Sequence, residues 1–253
     1  MNTRTMADEI VAALTARLRD DLCDGGLPAF RSVYLCGSYC RGDWLNSASD
    51  LDLHEILREG CEADRARDER QLRAVVADAL GGRTLPSHCP GGVEFGFSDE
   101  TYLPKTREEA CKPSPYAYFS TLMFDFKAHH RTLYGDEIGD LLPEAPDPKA
   151  CALGWLRMLN ERMQTLVDGD FRLTFNAYKA VQAVQLHFGE VTVNKYRMLE
   201  LYQRHVPEFP EKWLGELLIR NYLGSFYPGR PPMALPDSEI RQFTDALAAV
   251  VGG

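Results

Sequence analysis

The sequence predicts an α+β protein in two parts: strands and helices together over residues 1–145, then helices alone over 146–253. Three observations carry this. Short strand-like runs at 31–38, 50–57 and 91–99 lie between amphipathic helical patterns in the first part. A polar, proline-rich break, "LLPEAPDPKAC" at 141–151, interrupts the pattern and sets the expected domain boundary. Beyond it the apolar residues recur at helical intervals throughout.

The elements follow in order. "ADEIVAALTARLRDDL" (7–22) spaces Ile10, Val11, Leu14, Leu18 and Leu22 along one helical face, and a Gly-Gly pair and Pro28 end it. "RSVYLCGS" (31–38) is a β-branched and aromatic run closed by glycine, a strand entering a turn. "DLDLHEIL" (50–57) alternates as a second strand. "DRARDERQLRAVVADAL" (64–80) is a charged amphipathic helix stopped by Gly81 and Gly82. "GGVEFGFSD" (91–99) alternates again, and "PYAYFSTLMFDFKAHHRTLYGD" (115–136) has helical periodicity up to Gly135. Five further helices are expected in the second part, at 150–166, 176–188, 194–205, 211–223 and 237–250.

Composition narrows the class. With 253 residues, 45% hydrophobic and 26% charged, the chain is globular and can bury a sizeable core. No apolar run reaches the ~18 residues of a membrane helix, so no membrane partner is expected. The opening "MNTRTMADEIVAAL" lacks the basic-then-apolar order of a signal peptide, which makes a cytoplasmic protein the expectation. Seven cysteines without a C-x-x-C pair form neither a zinc nor a disulfide framework; reduced thiols, partly in the core, are expected. The net charge of −9 and the lack of a basic run disfavour a nucleic-acid partner. An acidic cleft would instead suit a cationic small molecule.

The chemistry is concentrated in "CGSYCRGDWLNSASDLDL" (36–53). Residues two apart on a strand share a face, so Asp50 and Asp52 project together while Leu51 and Leu53 point to the core. Two adjacent carboxylates repel unless a cation compensates. Hard oxygen ligands of this kind suit Mg²⁺ shared with substrate phosphates. Gly37 and Ser38 follow a strand and open a short helix, where backbone N–H groups favour phosphate. Glycine lets a polyphosphate approach closely, and the Ser38 hydroxyl can donate to it. The "RGD" at 41–43 also matches a cell-adhesion triplet, which carries almost no weight in a cytoplasmic chain.

This stretch resembles the signature of the DNA-polymerase-β-like nucleotidyltransferase superfamily: an apolar residue, Gly, Gly or Ser, about ten residues, then Asp-x-Asp. The "RGD" and "SASD" segments also resemble its small bacterial members. The resemblance implies a mixed sheet flanked by helices over 1–145, and transfer of a nucleoside monophosphate from an NTP to a hydroxyl. It implies Asp50 and Asp52 as Mg²⁺ ligands and Gly37, Ser38 and Ser49 as holders of the triphosphate. The family pattern adds a third acid on a later strand, and "VEFGF" offers Glu94. In the aminoglycoside-modifying branch that glutamate is the general base on the acceptor hydroxyl, a role a carboxylate beside a metal can fill. Asp99 and Asp125 are rivals for the position, and His54 shares the face of Asp50 and Asp52.

In the second part, Lys195 falls on the first turn of a helix expected near Asn194, after one ending at Gly189. A cation there opposes the helix dipole, so either an anion binds beside it or the lysine turns into water. This segment and "IRNYLGSF" (219–226) resemble the helical domain of the streptomycin 3''-adenylyltransferase (spectinomycin-modifying) group. That resemblance implies Lys195 at the ATP phosphates and Tyr222 at the nucleotide. The likeness is specific in 35–53, fainter in 93–95 and 115–136, and weakest after 176, where the Gly-to-Lys spacing differs by one residue.

The expected function is therefore Mg²⁺-dependent transfer of AMP from ATP to a hydroxyl of a small cationic acceptor of the aminoglycoside kind. ATP as donor comes from the resemblance alone. One alternative keeps the chemistry and modifies a protein or a tRNA end, as toxin–antitoxin nucleotidyltransferases do. Another is a non-catalytic nucleotide-binding module, against which stands the presence of all three acids. The sequence sets neither the acceptor nor the oligomeric state.

Overall fold

The computed structural model describes residues 2–20, 26–46, 49–87, 89–110, 127–144, 147–188, 195–225 and 235–252. The chain divides into two compact units, Met1–Leu103 with Asp125–Leu142, and Pro104–Phe124 with Pro143–Gly253. The fold is α+β: a mixed sheet with flanking helices, followed by a helical region. Among the described residues, no helix is long and apolar enough to cross a membrane.

In the first unit, helix α1 (Thr3–Asp20) buries Ala7, Ile10, Val11, Leu14 and Leu18, the 3–4 spacing seen in the sequence. Strand β1 (Phe30–Cys36) runs into a short helix α2 (Gly37–Arg41) and returns as β2 (Leu51–Leu57). Helix α3 (Glu62–Leu80) follows, closed by Gly81 in the left-handed conformation, whose N–H donates to Ala77 O. Strand β3 is Val93–Asp99 and β4 is Arg131–Gly135. The sheet order is β3-β2-β1-β4, with β1 antiparallel to β2 and β4, and β2 parallel to β3. Leu51, Leu53 and Leu57 of β2, with Val33 and Leu35 of β1, join α1 and α3 in one core. Each such side chain, fully buried, contributes about 1.5–3 kcal/mol.

Strand β4 corrects the helix expected up to Gly135. Its Tyr134 and Thr132 pair with Val33 and Tyr34 of β1, a hundred residues earlier in the chain. Local periodicity does not see such a partner, and the ladder it offers overrides helical spacing in "RTLYG". Residues 111–126 of that expected helix, Asp125 among them, lie outside the described residues.

Glu55 sits on the core-facing side of β2, 3% exposed, with one carboxyl oxygen lacking a hydrogen-bond partner. Burial, then the Glu69 carboxylate, pushes its pKa from 4.5 up to about 7 against the opposing pull of Arg73 and Arg65. The folded state therefore holds a proton that the unfolded chain has released. The stability this provides is fully present below pH 4.5 and is lost as the pH rises through about 7. Linkage puts the loss at about 3 kcal/mol. Glu55→Gln keeps the shape without the charge, so its unfolding free energy, measured by urea denaturation, should exceed that of the wild type at pH 8. The two should converge below pH 4.5.

The second unit is built on the helices Pro148–Thr165, Phe171–His187, Met198–His205, Lys212–Ser225 and Asp237–Gly252. Asp147 and Asp170 cap the first two, accepting from the N–H groups of Lys149 and Arg172. Trp155, Leu159, Tyr178, Val181, Tyr202 and Phe243 belong to its separate core. Lys195, expected on the first turn of a helix, instead lies in a turn at 195–197, and the helix starts at Met198. Tyr196 is 55% exposed and Arg197 is exposed, whereas Met198, Leu201 and Tyr202 are buried. Packing thus holds the helix only from Met198 onward. Gly189 and Asn194 lie outside the described residues.

Candidate active site

The turn after β1 is built around Gly37, at φ +69. A Cβ there would lie 2.5 Å from the Asp52 Cγ and closer still to its Oδ2. Only glycine lets the Asp52 carboxylate lie against the backbone of this turn. The glycine–serine turn and the second aspartate, fifteen residues apart in sequence, are thus in direct apposition.

Ser38 and Ser49 are both 2% exposed. The Ser38 hydroxyl donates to Ser49 Oγ at 3.1 Å, and Ser49 Oγ also accepts the Leu45 N–H at 2.8 Å. The Ser49 N–H donates back to Leu45 O at 2.9 Å. These serines cinch the loop between α2 and β2. Arg41 pairs with the fully buried Asp43, so the triplet at 41–43 is not displayed for adhesion.

Helix α1 grips the same loop, which the sequence did not signal. Thr3 Oγ1 donates to Asn46 O at 2.9 Å and accepts from Trp44 Nε1 at 3.2 Å. The Arg4 guanidinium lies 4.0 Å from the centre of the Tyr39 ring and donates to Tyr39 O, while Tyr39 Oη donates to Asp8. Thr3, Arg4 and Asp8 belong to no motif; the contacts arise because the start of α1 lies beside α2 and the loop after it.

The acids come together at one end of the sheet. Strand β2 begins at Leu51, so Asp50 stands at its entrance rather than on it. Asp52 is the ladder partner of Glu94 on the parallel strand β3, and partners in a parallel pair project from the same face. One ligand atom each from Asp50, Cys89 and Glu94 lies within 4.8 Å of the others. Ser87 Oγ donates to Asp50 Oδ2 at 3.3 Å and accepts the Cys89 N–H at 2.9 Å. Burial, then Asp50 and Glu94, pushes the Cys89 thiol up to about 12.

The expectation of inert, reduced thiols gives no sign that Cys89 lies beside these acids. Topology held the signal. In a parallel pair both strands start at the same end, so the residues feeding β3 arrive where Asp50 feeds β2. The rivals of Glu94 fare differently. Asp99 pairs with Leu57 at the far end of β3, about 16 Å along the strand from Glu94, and there it caps a turn through Thr101. His54 is 3% exposed, its Nε2 lies 3.0 Å from Ser98 Oγ, and its ring is 5.2 Å from that of Tyr34. Burial lowers its pKa to about 3, which favours the neutral ring.

The carboxylate oxygens of Asp50 and Glu94 are of the kind that fits a hard divalent cation such as Mg²⁺; Asp52, the ladder partner of Glu94, is not in the group whose ligand atoms lie within 4.8 Å of one another. In the second unit Lys195 occupies the turn before Met198, and Tyr222 lies on Lys212–Ser225 with its side chain outside those described.

No family model matches the chain. No curated protein matches it. Among solved structures it is similar to the spectinomycin adenyltransferase AAD(9) from Enterococcus faecialis, determined with ATP and spectinomycin. The TM-score is 0.57 at 13% identity, over 97% of this chain and 99% of that one. The resemblance expected from residues 36–53 is therefore met at the level of the fold, which the chain shares with that structure along nearly its whole length.

Proposed function

We propose that the protein transfers AMP from ATP to a hydroxyl of a small, cationic acceptor of the aminoglycoside kind, releasing pyrophosphate. The observation that carries this is the apposition of Gly37 to the Asp52 carboxylate, with Glu94 beside Asp52 on the neighbouring strand. A phosphate-accepting turn and a set of acids able to hold a divalent cation thus occupy one place. The shared fold with an adenyltransferase determined with ATP and spectinomycin supports the donor and the acceptor class.

In this proposal Asp50, Asp52 and Glu94 hold Mg²⁺, and the Gly37–Ser38 turn, with Ser49 behind it, holds the triphosphate. When bound, the cation supplies positive charge to the phosphates. Glu94, the most exposed of the three acids, takes the proton of the acceptor hydroxyl. The hydroxyl oxygen bonds to the α-phosphorus, and the bond from that phosphorus to the bridging oxygen of pyrophosphate breaks. The net charge of −9 favours a cationic acceptor. Residues 146–253 form the helical domain, and the protein works in the cytoplasm, where ATP is supplied.

The test is incubation with ATP, Mg²⁺ and a panel of aminoglycosides and spectinomycin, following pyrophosphate release and the mass of each acceptor. Gain of one adenylyl group by a small acceptor is expected. Labelling of protein or tRNA instead would move the proposal to another acceptor class, and no pyrophosphate with any acceptor would leave a nucleotide-binding module. Glu94→Gln should lower kcat about a hundredfold or more, the usual worth of general base catalysis, and change the ATP Kd far less. The opposite pattern would remove Glu94 as base.

A further inference from the structure

We infer that Cys89 is a selectivity residue of the cation site, giving Asp50 and Glu94 a sulfur partner that draws in thiophilic divalent ions such as Zn²⁺ and Cd²⁺. This rests on the proposal that Asp50 and Glu94 hold a divalent cation.

The donor set is mixed. Asp50 and Glu94 offer carboxylate oxygens, yet the third ligand atom within 4.8 Å of them is the Cys89 sulfur. A zinc-like ion sits about 2.0–2.3 Å from oxygen and sulfur ligands, so three atoms at this spacing can close on a single ion with small side-chain movements. The position of Cys89 is set by its backbone. Its N–H donates to Ser87 Oγ, whose hydroxyl donates to Asp50, which holds the cysteine loop on the first acid. Other described cysteines have different surroundings. Cys36 Sγ faces Asp52 O, Cys151 Sγ faces Ala110 O, and Cys40 and Cys61 pack against the apolar core.

Mg²⁺ gains little from sulfur, whereas Zn²⁺ and Cd²⁺ favour thiolate over oxygen ligands. On binding such an ion, Cys89 releases its proton to solvent as the sulfur–metal bond forms. The site then carries one thiolate and two carboxylates around one divalent ion. Thiophilic ions consequently occupy the place that Mg²⁺–nucleotide needs, and they restrain transfer until a chelator removes them.

The experiment titrates the full-length protein, without nucleotide, with Cd²⁺ and follows the ultraviolet sulfur-to-cadmium charge-transfer band. The wild type should show a saturable band at one equivalent that excess Mg²⁺ displaces weakly. Cys89→Ser and Cys89→Ala should each lose that band and lower the ratio of Cd²⁺ to Mg²⁺ affinity at least about tenfold. The same band, at the same affinity, in both variants would overturn the inference. Mg²⁺–ATP binding to Asp50→Asn is measured in parallel. If that variant loses binding while the cysteine variants keep the band, the inference alone fails. If Asp50→Asn binds Mg²⁺–ATP like the wild type, the proposal beneath it fails.

Discussion

Asp52→Asn is expected to lower adenylyl transfer about a thousandfold or more, on the scale of charge-stabilising groups in such sites, while the protein stays folded. The carboxylate lies against the Gly37 turn and beside Glu94. It is therefore placed to hold a cation at the phosphates, next to the proposed base. Asparagine keeps the shape and removes the charge, so the loss reports charge rather than packing. The same substitution relieves repulsion among neighbouring acids in the metal-free protein. The variant should accordingly melt no lower than the wild type without metal and gain less on adding Mg²⁺–ATP, because ligand that binds only the folded state stabilises it. Asp50→Asn should behave alike in transfer. Wild-type turnover in either variant, measured by pyrophosphate release, removes that residue from the cation site.

Gly37→Ala is expected to cost both stability and activity. At φ +69 an alanine is strained, and its Cβ would occupy the space of the Asp52 carboxylate. Something must move, and the candidates are the turn that receives phosphate and the acid that receives the cation. Strain of this kind is worth about 1–3 kcal/mol in unfolding free energy. A displacement of about 1 Å in a reacting constellation can lower the rate about a hundredfold. Both are measured on one sample, by thermal denaturation and by turnover. An alanine variant with wild-type stability and turnover would mean that the close approach of turn and acid is incidental.

Much of this arrangement was legible before any coordinates. The run 31–38, the Gly-Ser pair and the run 50–57 became β1, α2 and β2, because each is a local unit whose apolar alternation and glycine settle its conformation. Glu94 was reachable for the same reason, on an alternating run after Gly91 and Gly92. What escaped depends on partners far away in sequence. Strand β4 exists because β1 offers a ladder to Thr132 and Tyr134, which no window around them reveals. Cys89 and the Thr3–Arg4 grip on Tyr39, Trp44 and Asn46 follow from where loops return beside the sheet. The helix expected near Asn194 starts at Met198, three residues after Lys195, since period alone does not say where burial begins.

The measurement closest to the central claim is a crystal structure of the full chain with Mg²⁺ and a non-hydrolysable ATP analogue. The account predicts a cation bound by the Asp50 and Asp52 carboxylates, with the triphosphate lying along Gly37 and Ser38. A nucleotide ordered elsewhere, or one at this turn with no cation at those carboxylates, would contradict it.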